Sequence, residues 1–265
     1  MKIGNYEISY YFVFNFIALL LIASIMSVRA KKENLNSIDV FLAVTLGAAF
    51  AAIGANLPSL VEFFINHFPA IIKNPSYIKN WEATGGYFFG AFAGGVLFVL
   101  VYVRKFFKGK ALNFLDILAA ALPLGQAVGR LGCFMSGCCY GRPTSLPWGI
   151  KFPFLGFNRH PFYNAAVHPT QIYEFILDII NFIFLLFYSR QKKFAGQVFS
   201  QYLINYGIIR FFLEYFRGDV FYLHDSNFRF FSLTLFQIVS LIFVLSGIIM
   251  KKILKKRLDK TARSS

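Results

Sequence analysis

The chain is organised around one stretch, which reads Gly129-Arg130-Leu131-Gly132-Cys133-Phe134-Met135-Ser136-Gly137-Cys138-Cys139-Tyr140-Gly141-Arg142-Pro143-Thr144. The stretch holds four glycines, all three cysteines of the chain and two arginines, and it lies between two long apolar runs. Glycine lets the backbone turn tightly and approach a ligand closely, and the arginine fork can bind two oxygens of a phosphate. A charged, glycine-rich segment at membrane depth is tolerated where it lines a cavity. We therefore predict that this stretch is the floor of a site for a lipid headgroup.

The composition surrounding this stretch is that of an integral membrane protein. Of the 265 residues, 57% are hydrophobic, whereas soluble domains have about 45–50%. Seven runs approach or exceed the roughly 20 residues needed to cross the hydrocarbon core. No internal repeat or linker divides the chain, so we predict one all-α, polytopic membrane domain over residues 1–265. The seven predicted transmembrane helices are 8–28, 38–66, 86–103, 111–128, 171–189, 197–216 and 231–250.

The distribution of basic residues predicts the orientation of these helices. The net charge is +15, and most Lys and Arg lie in clusters at 29–32, 104–110, 190–193 and 251–263. With seven spans, all four clusters fall on one side, which the positive-inside rule makes cytoplasmic. We expect the N-terminus outside, the C-terminus inside and a central headgroup cavity open to the outer side. The same clustering argues against nucleic-acid binding, and the first run is expected to stay as a span rather than to be a cleaved signal.

Two apolar runs carry charges that point to chemistry. Tyr206, Arg210 and Glu214 follow one another at intervals of four residues, so they share one helix face. Such a polar stripe within a span faces the bundle interior or a cavity. A structural ion pair between Arg210 and Glu214 is the simpler alternative. Arg130 either binds phosphate or extends to the membrane interface to reach water.

The remaining candidates are a histidine and the cysteines. His168 and Pro169 start the fifth predicted span, and a lone interfacial histidine is more often just a hydrogen-bonded residue. The three cysteines match neither a CxxC pair nor a usual zinc spacing. They are more simply small apolar residues around a tight turn, although a redox pair or a metal site stays open as an alternative.

Several motifs together resemble the bacterial prolipoprotein diacylglyceryl transferases. The resemblance covers nearly the whole chain, and its most specific parts are the opening stretch and the block 206–217. The matching segments are Ile3-Gly4 leading to Tyr11, Gly85-Gly86-x-x-x-Gly90, Gly129-Arg130-Leu131-Gly132-x-Phe134 with Tyr140-Gly141-Arg142-Pro143-Thr144, His168-Pro169-Thr170-Gln171-Ile172-Tyr173-Glu174, and Tyr206-Gly207-x-x-Arg210-Phe211-x-x-Glu214-x-Phe216-Arg217.

The resemblance implies a reaction, a location and a set of site residues. Members of this family, in the bacterial inner membrane, move a diacylglyceryl group from phosphatidylglycerol to the lipobox cysteine thiol beside a prolipoprotein signal peptide. Glycerol-1-phosphate leaves, and neither a cofactor nor a metal is expected. Arg130 and Arg210 would neutralise the charge that develops on the phosphate, with Tyr206 and His168 as further catalytic residues. The residues expected to bind substrate are Tyr11, Gly85, Gly86, Gly132, Gly141, Glu174 and Glu214.

The chain also departs from the family pattern, and the departures define the alternatives. Thr84 stands where the family has a functional histidine, and Cys133 and Cys138 replace an asparagine and an acidic residue. Threonine cannot act as a base near pH 7. The general base for the acceptor thiol must therefore be His168 or Glu174, unless the thiol ionises on its own. The alternatives are a phospholipid-dependent transferase with another acceptor, a non-catalytic lipid-binding paralogue and a thiol sensor. A retinal protein is excluded because 231–250 has no lysine.

Overall fold

The fold is that of a helical membrane protein, described from a computed structural model. The structure describes residues 2–3, 6–7, 10–81, 88–152, 162, 165–218 and 233–264. Within this part of the chain we number the α-helices in order. They are α1 Tyr10–Ala30, α2 Ser37–Lys73, α3 Phe88–Phe106, α4 Ala111–Met135, α5 Thr170–Arg190, α6 Gln197–Leu213 and α7 Leu235–Ser264.

Shorter elements lie between and before these helices. Single turns of 3₁₀-helix occur at Lys31–Glu33 and Glu214–Phe216, and a longer one at Pro75–Asn80. Two strands of two residues each, β1 Lys2–Ile3 and β2 Tyr6–Glu7, pair antiparallel. They are a minor addition, so the all-α class predicted from hydropathy is confirmed.

Five of the helices are long and apolar enough to cross a membrane. These candidate spans are Tyr10–Glu33, Ser37–Lys73, Ala111–Met135, Thr170–Arg190 and Leu235–Lys260. They confirm a polytopic membrane protein. Helices α3 and α6 coincide with the other two predicted runs, but α6 has only 17 residues and carries Arg210. The seven-span arrangement and its orientation therefore stay predictions.

The largest change from the predicted boundaries is at the end of α4. The run predicted to end at 128 continues as helix to Met135, so Arg130, Gly132 and Cys133 are helical. The helix then stops at Gly137, whose φ is 66°. Cys138 N–H donates to the Cys133 carbonyl at 3.1 Å and Gly137 N–H to the Phe134 carbonyl at 3.2 Å. These two bonds form a Schellman cap, in which glycine supplies the left-handed residue.

The chain divides into two compact units, one of residues 26–114 and one of residues 1–25 with 115–265. In the first unit, α2 packs on α3 through glycines. A Cβ added to Gly90 would collide with the Gly54 carbonyl oxygen, and one added to Gly94 would lie 2.6 Å from the Phe50 carbonyl oxygen. The glycine spacing in the third run is thus used for close helix packing, as expected for Gly90 and Gly94.

The second unit, which holds the stretch 129–144 quoted above, is built from α4, α5, α6 and α7 with the first part of α1. An apolar cluster of Ala119, Ala120, Leu185, Val198 and Tyr202 ties α4, α5 and α6 together. On α5, the buried polar residues recur every three or four positions and so share one face. They are Gln171, Glu174, Asp178 and Asn181.

A buried carboxylate joins the starts of α4 and α6. Asp116, only 2% exposed, accepts hydrogen bonds from the backbone N–H groups of Gly196 at 2.7 Å and Phe199 at 2.9 Å. These amides have no partner inside helix α6, because the first turn of any helix leaves its N–H groups unpaired. Lys192 completes the arrangement with an ion pair to Asp116 at 3.0 Å. Helix α4 therefore caps α6.

Candidate active site

Arg130 is held by a carboxylate on the neighbouring helix. Its Nη2 lies 2.7 Å from Oε1 of Glu174, and the two side chains are 23% and 4% exposed. A charge-assisted bond of this length is strong and orients the guanidinium group. Arg130 thus pairs with a partner on α5 rather than simply reaching out of the membrane. Part of its fork stays accessible for an anion.

Arg210 has a partner on its own helix. Its Nη2 lies 2.8 Å from Oε2 of Glu214, and these side chains are only 10% and 0% exposed. The Thr234 hydroxyl donates to the other Glu214 oxygen at 3.0 Å, and the guanidinium carbon of Arg210 lies 4.9 Å from the centre of the Phe236 ring. The ion pair that the four-residue spacing suggested is confirmed. Nη1 of Arg210 is buried and has no hydrogen-bond partner among the described residues.

Tyr206 precedes Arg210 by one turn on the same face of α6. It is half-buried and stacks on Tyr202, with ring centres 5.7 Å apart. Its hydroxyl is within electrostatic range of Glu174, Arg210 and Arg130. Both guanidinium groups therefore lie in the polar surroundings of one phenol, although they are 80 residues apart in the chain. This grouping has the composition of a phosphate site, with two cations and a hydroxyl donor.

Backbone hydrogen bonds join three segments of the chain, one after α4, one before α5 and one after α6. Gly141 N–H donates to the His168 carbonyl, and Arg142 N–H donates to the Phe216 carbonyl, both at 2.9 Å. A Cβ on Gly141 would lie 2.5 Å from His168 Cβ and 2.6 Å from the Phe216 carbonyl oxygen. Only glycine fits this crossing. Gly141 therefore holds the three segments together, and it brings the end of the quoted stretch against the start of α5.

His168 lies where this loop network meets α5. Its Nδ1 is 3.2 Å from the Tyr173 hydroxyl, and that hydroxyl accepts from the indole N–H of Trp148 at 2.8 Å. Burial lowers the pKa of His168, and the positive charge of Arg142 acts in the same direction. Both causes disfavour the imidazolium form. The histidine is therefore neutral near pH 7 and able to accept a proton.

The three cysteines form a cluster that their spacing did not predict. The sulfur atoms of Cys133, Cys138 and Cys139 lie within 4.8 Å of one another, and all three thiols are free. Cys139 has a left-handed backbone with φ of 59°. The Cys138 thiol donates to the Cys133 carbonyl at 3.6 Å.

Comparison with known proteins identifies the family. A family model described as prolipoprotein diacylglyceryl transferase matches residues 1–253. The chain belongs to the prolipoprotein diacylglyceryl transferase family. Among curated relatives, each named phosphatidylglycerol–prolipoprotein diacylglyceryl transferase, it is 37% identical to the protein of Clostridium tetani over 86% of this chain and 89% of that relative. The corresponding values are 32%, 88% and 85% for Finegoldia magna, and 34%, 86% and 84% for Clostridioides difficile.

Other predicted site residues of this family member are placed less directly. Tyr11 lies against α4, where a Cβ added to Gly132 would be 3.4 Å from the Tyr11 Cα. A Cβ on Gly132 would lie 2.9 Å from Phe14 Cβ; the glycine thus lets α1 pack against α4. The expectations for Thr84, Gly85 and Gly86 lie outside the described residues. None of the binding roles is tested by this placement.

Sequence reasoning overlooked a buried carboxylate next to the transferase-family arginines. Asp178 is fully buried, and neither of its oxygens has a hydrogen-bond partner within the part of the chain that the structure describes. It interacts electrostatically with Glu174 and Arg130. The available signal was its position four residues after Glu174, on the same face of α5. An unpaired buried carboxylate is costly, so Asp178 belongs with the polar interior of the site.

Proposed function

We propose that the chain transfers a diacylglyceryl group from phosphatidylglycerol to the lipobox cysteine thiol beside a prolipoprotein signal peptide. Family membership and the names of the relatives support this assignment. The observation that carries it is the pair of arginines held by buried carboxylates inside the helical bundle, Arg130 by Glu174 at 2.7 Å and Arg210 by Glu214 at 2.8 Å. Two cations inside one bundle suit a reaction in which a phosphate leaves.

The two arginines would stabilise the leaving phosphate. As the acceptor sulfur bonds to the glyceryl carbon, the carbon–oxygen bond breaks and its electron pair stays on the phosphate oxygen. Negative charge therefore grows on the phosphate, where fixed donors lower the barrier. Nη1 of Arg210 is a buried donor without a protein partner among the described residues, and it is suited to this role. Glu174 and Glu214 would position the guanidinium groups.

The other site residues would orient the headgroup and accept the proton. Tyr206 and Tyr11 would donate hydroxyl groups, and Gly85, Gly86, Gly132 and Gly141 would line the headgroup cavity. Neutral His168 would take the proton that the acceptor thiol loses, because both causes of its lowered pKa favour the base form. Glu174 is less suited to this task, since its carboxylate is already engaged in the ion pair with Arg130.

We further propose seven spans in the bacterial inner membrane, with the N-terminus outside and the cavity open to the outer side. Support comes from the basic residues, which cluster at the ends of α1, α3, α5 and α7. These ends share one side if every helix crosses once. Single cysteines introduced after each helix and labelled from outside the cell, or phosphatase fusions at the same points, would test this arrangement. A C-terminal phosphatase fusion that is active outside the cytoplasm would contradict it.

The decisive test is transfer by the purified chain in phosphatidylglycerol nanodiscs with a lipobox peptide. The expected product is the peptide with a thioether-linked diacylglyceryl group, detected by mass spectrometry, together with glycerol phosphate. A peptide with serine in place of the acceptor cysteine is the matched control. Retained transfer in both Arg130→Ala and Arg210→Ala, with normal membrane insertion, would overturn the assignment.

A related transferase with another acceptor is the second candidate, and Thr84 favours it because the family has a histidine at that position. Complementation of a strain depleted of its lipoprotein transferase separates the two. Growth rescue supports the main proposal, and better rescue by Thr84→His would indicate the same mechanism in a weakened form. No rescue together with a new lipid product would support the other acceptor. The absence of both growth rescue and a new lipid product would favour a non-catalytic lipid-binding paralogue.

A further inference from the structure

We propose that Cys133, Cys138 and Cys139 bind a thiophilic cation such as Zn²⁺, with a fourth coordination position suited to the acceptor thiol. The cation site stands on the geometry of the cluster alone. The role of the fourth position rests on the proposed function. This proposal goes against the expectation, based on cysteine spacing, that the chain holds no metal.

The distances suit a cation held by three sulfur atoms. The three sulfurs lie within 4.8 Å of one another. Zinc–sulfur bonds of about 2.3 Å in a tetrahedral arrangement require sulfur atoms roughly 3.8 Å apart. A movement of about 1 Å closes the difference, which a small χ1 rotation of each cysteine supplies. Three protein ligands leave one position open, as in catalytic rather than structural zinc sites.

The backbone around the cluster is fixed in the conformation that brings the sulfurs together. The Schellman cap at Gly137 reverses the chain directly after α4, and Cys139 adopts a left-handed conformation that costs energy for a residue with a Cβ. The Gln171 amide donates to the Cys138 carbonyl at 2.6 Å, and the Thr170 hydroxyl donates to the Cys139 carbonyl at 2.7 Å. The polar start of α5 therefore holds the ligand loop in place.

The surrounding charges fit a cluster of thiolates. Three thiolates around Zn²⁺ have a net charge of about −1, and metal ligands must be deprotonated. Nη1 of Arg130 lies 3.9 Å from the Cys133 sulfur and points a donor at it. This arginine would neutralise the metal cluster on one side and a bound phosphate on the other. Cations beside a thiolate site lower the cost of its negative charge.

The alternative, that these cysteines only fill space, agrees less well with their exposure. Cys133 is buried, but Cys138 and Cys139 remain partly accessible. Free cysteines that act as small apolar residues are usually buried. Two partly accessible thiols beside a buried one, with all three sulfurs within 4.8 Å of one another, are better suited to a ligand that arrives from outside.

A cation with an open coordination position would also promote ionisation of the acceptor thiol, which Thr84 cannot do as a base. A thiol that binds a soft cation ionises near neutral pH. The S–H proton passes to His168 and then to solvent, the sulfur bonds to the glyceryl carbon, and the broken carbon–oxygen bond leaves its electrons on the phosphate. The phosphate stays beside Arg130, which contacts the same cluster. Nucleophile and leaving group are thus activated by adjacent parts of one site.

Cadmium binding tests the cation site directly. The chain is purified in detergent, reduced, stripped with a chelator and titrated with Cd²⁺. We expect a sulfur-to-cadmium charge-transfer band that saturates at one equivalent. Each Cys→Ser variant should lose affinity by more than the roughly 10- to 100-fold that outer-shell changes cost. Met135→Leu, which removes a sulfur from the same segment but outside the cluster, should bind as the wild type does.

Cys139→Ser and Cys138→Ser keep the test valid if Cys133→Ser fails to fold, because their side chains are partly exposed. Thermal unfolding of every variant is measured alongside. An absent charge-transfer band in the folded wild type would overturn the proposal, as would unchanged cadmium affinity in the folded serine variants.

Cobalt spectra test the open position. A Co²⁺-loaded chain is mixed with the lipobox peptide or with its serine counterpart. The visible bands should shift and intensify with the cysteine peptide alone, since a fourth sulfur enters the coordination sphere. Unchanged spectra in a chain that still performs transfer would overturn the acceptor role. Cadmium binding without any transfer would instead refute the proposed function and leave the cation site intact.

Discussion

The two arginine–glutamate pairs have nearly equal lengths but different surroundings. Arg130 and Glu174 join α4 to α5, and the arginine is 23% exposed at 2.7 Å from its partner. Arg210 and Glu214 lie one turn apart on the α6 segment, 10% and 0% exposed at 2.8 Å. A charge in a low-dielectric interior depends on its partner far more than one near water. The comparison predicts that replacing Arg210 reduces the stability of the fold more than replacing Arg130 does.

Removing Arg210 should have the largest effect on stability. Arg210→Gln leaves Glu214 charged and fully buried, so the free energy of unfolding should fall by about 3–5 kcal/mol. Thermal unfolding in micelles measures this. The double variant Arg210→Gln/Glu214→Gln removes the stranded charge and should recover most of the stability without restoring transfer. A single variant as stable as wild type would contradict the difference between the two pairs.

Removing Arg130 should mainly affect the reaction. Arg130→Gln deletes one cationic donor to the leaving phosphate, so the transfer rate should fall about 100- to 1,000-fold. Stability should also fall, because Glu174 is left unpaired and is only 4% exposed, but it should fall less than in Arg210→Gln, since water can reach the site where the 23% exposed Arg130 side chain was. Arg190→Gln at the other end of α5 is the matched control and should keep the wild-type rate. Equal loss of stability in the two arginine variants would show that the pairs are equivalent.

The Thr234 hydroxyl offers a finer test of the buried pair. Thr234→Val is nearly isosteric and removes the hydroxyl that donates to Glu214 at 3.0 Å and accepts from the Gln237 N–H at 3.2 Å. A hydrogen bond to a charged group contributes about 1.5–3 kcal/mol, and the unfolding free energy should fall by that amount. Thr45→Val removes a hydroxyl bonded only to a carbonyl of its own helix, so it should cost less. Equal losses would mean that Glu214 gains little from Thr234.

The smallest expected effect is a shift in pH dependence at the start of α5. Burial and Arg142 lower the pKa of His168, so its contribution to stability is present above the unfolded pKa of about 6.5 and is lost as pH falls through the folded value. Arg142→Gln removes the positive charge and should move the acid limb of the transfer rate upward by less than about one pH unit. Arg142→Lys keeps the charge and should not. An identical shift in both variants would rule out an electrostatic cause.

The helices and one ion pair could be predicted from sequence because they depend on local patterns. Hydropathy located all seven helical runs, and the interval of four between Arg210 and Glu214 identified their contact. The Arg130–Glu174 pair joins residues 44 positions apart. No local period predicts such a pair, although the family resemblance placed both residues in one site.

The cysteine cluster was missed for a different physical reason. Spacing rules for metal ligands assume common turn conformations, whereas here two left-handed residues, Gly137 and Cys139, bring the three cysteines together. One of them is not glycine, so the sequence carries little signal of it. Asp178 was overlooked because its one local signal, the interval of four residues from Glu174, relates two like charges and so predicts no ion pair.

The contact of Asp116 with α6 bears on how the protein is assembled during synthesis. A helix forms its first turn at a net cost, since few hydrogen bonds offset the backbone order. Helix α4 leaves the ribosome before α6, so the Asp116 carboxylate is already present when the Gly196 and Phe199 amides that donate to it are synthesised. Asp116 can therefore help to start helix α6. We expect Asp116→Asn to slow membrane integration of α6 more than it lowers the stability of the folded protein.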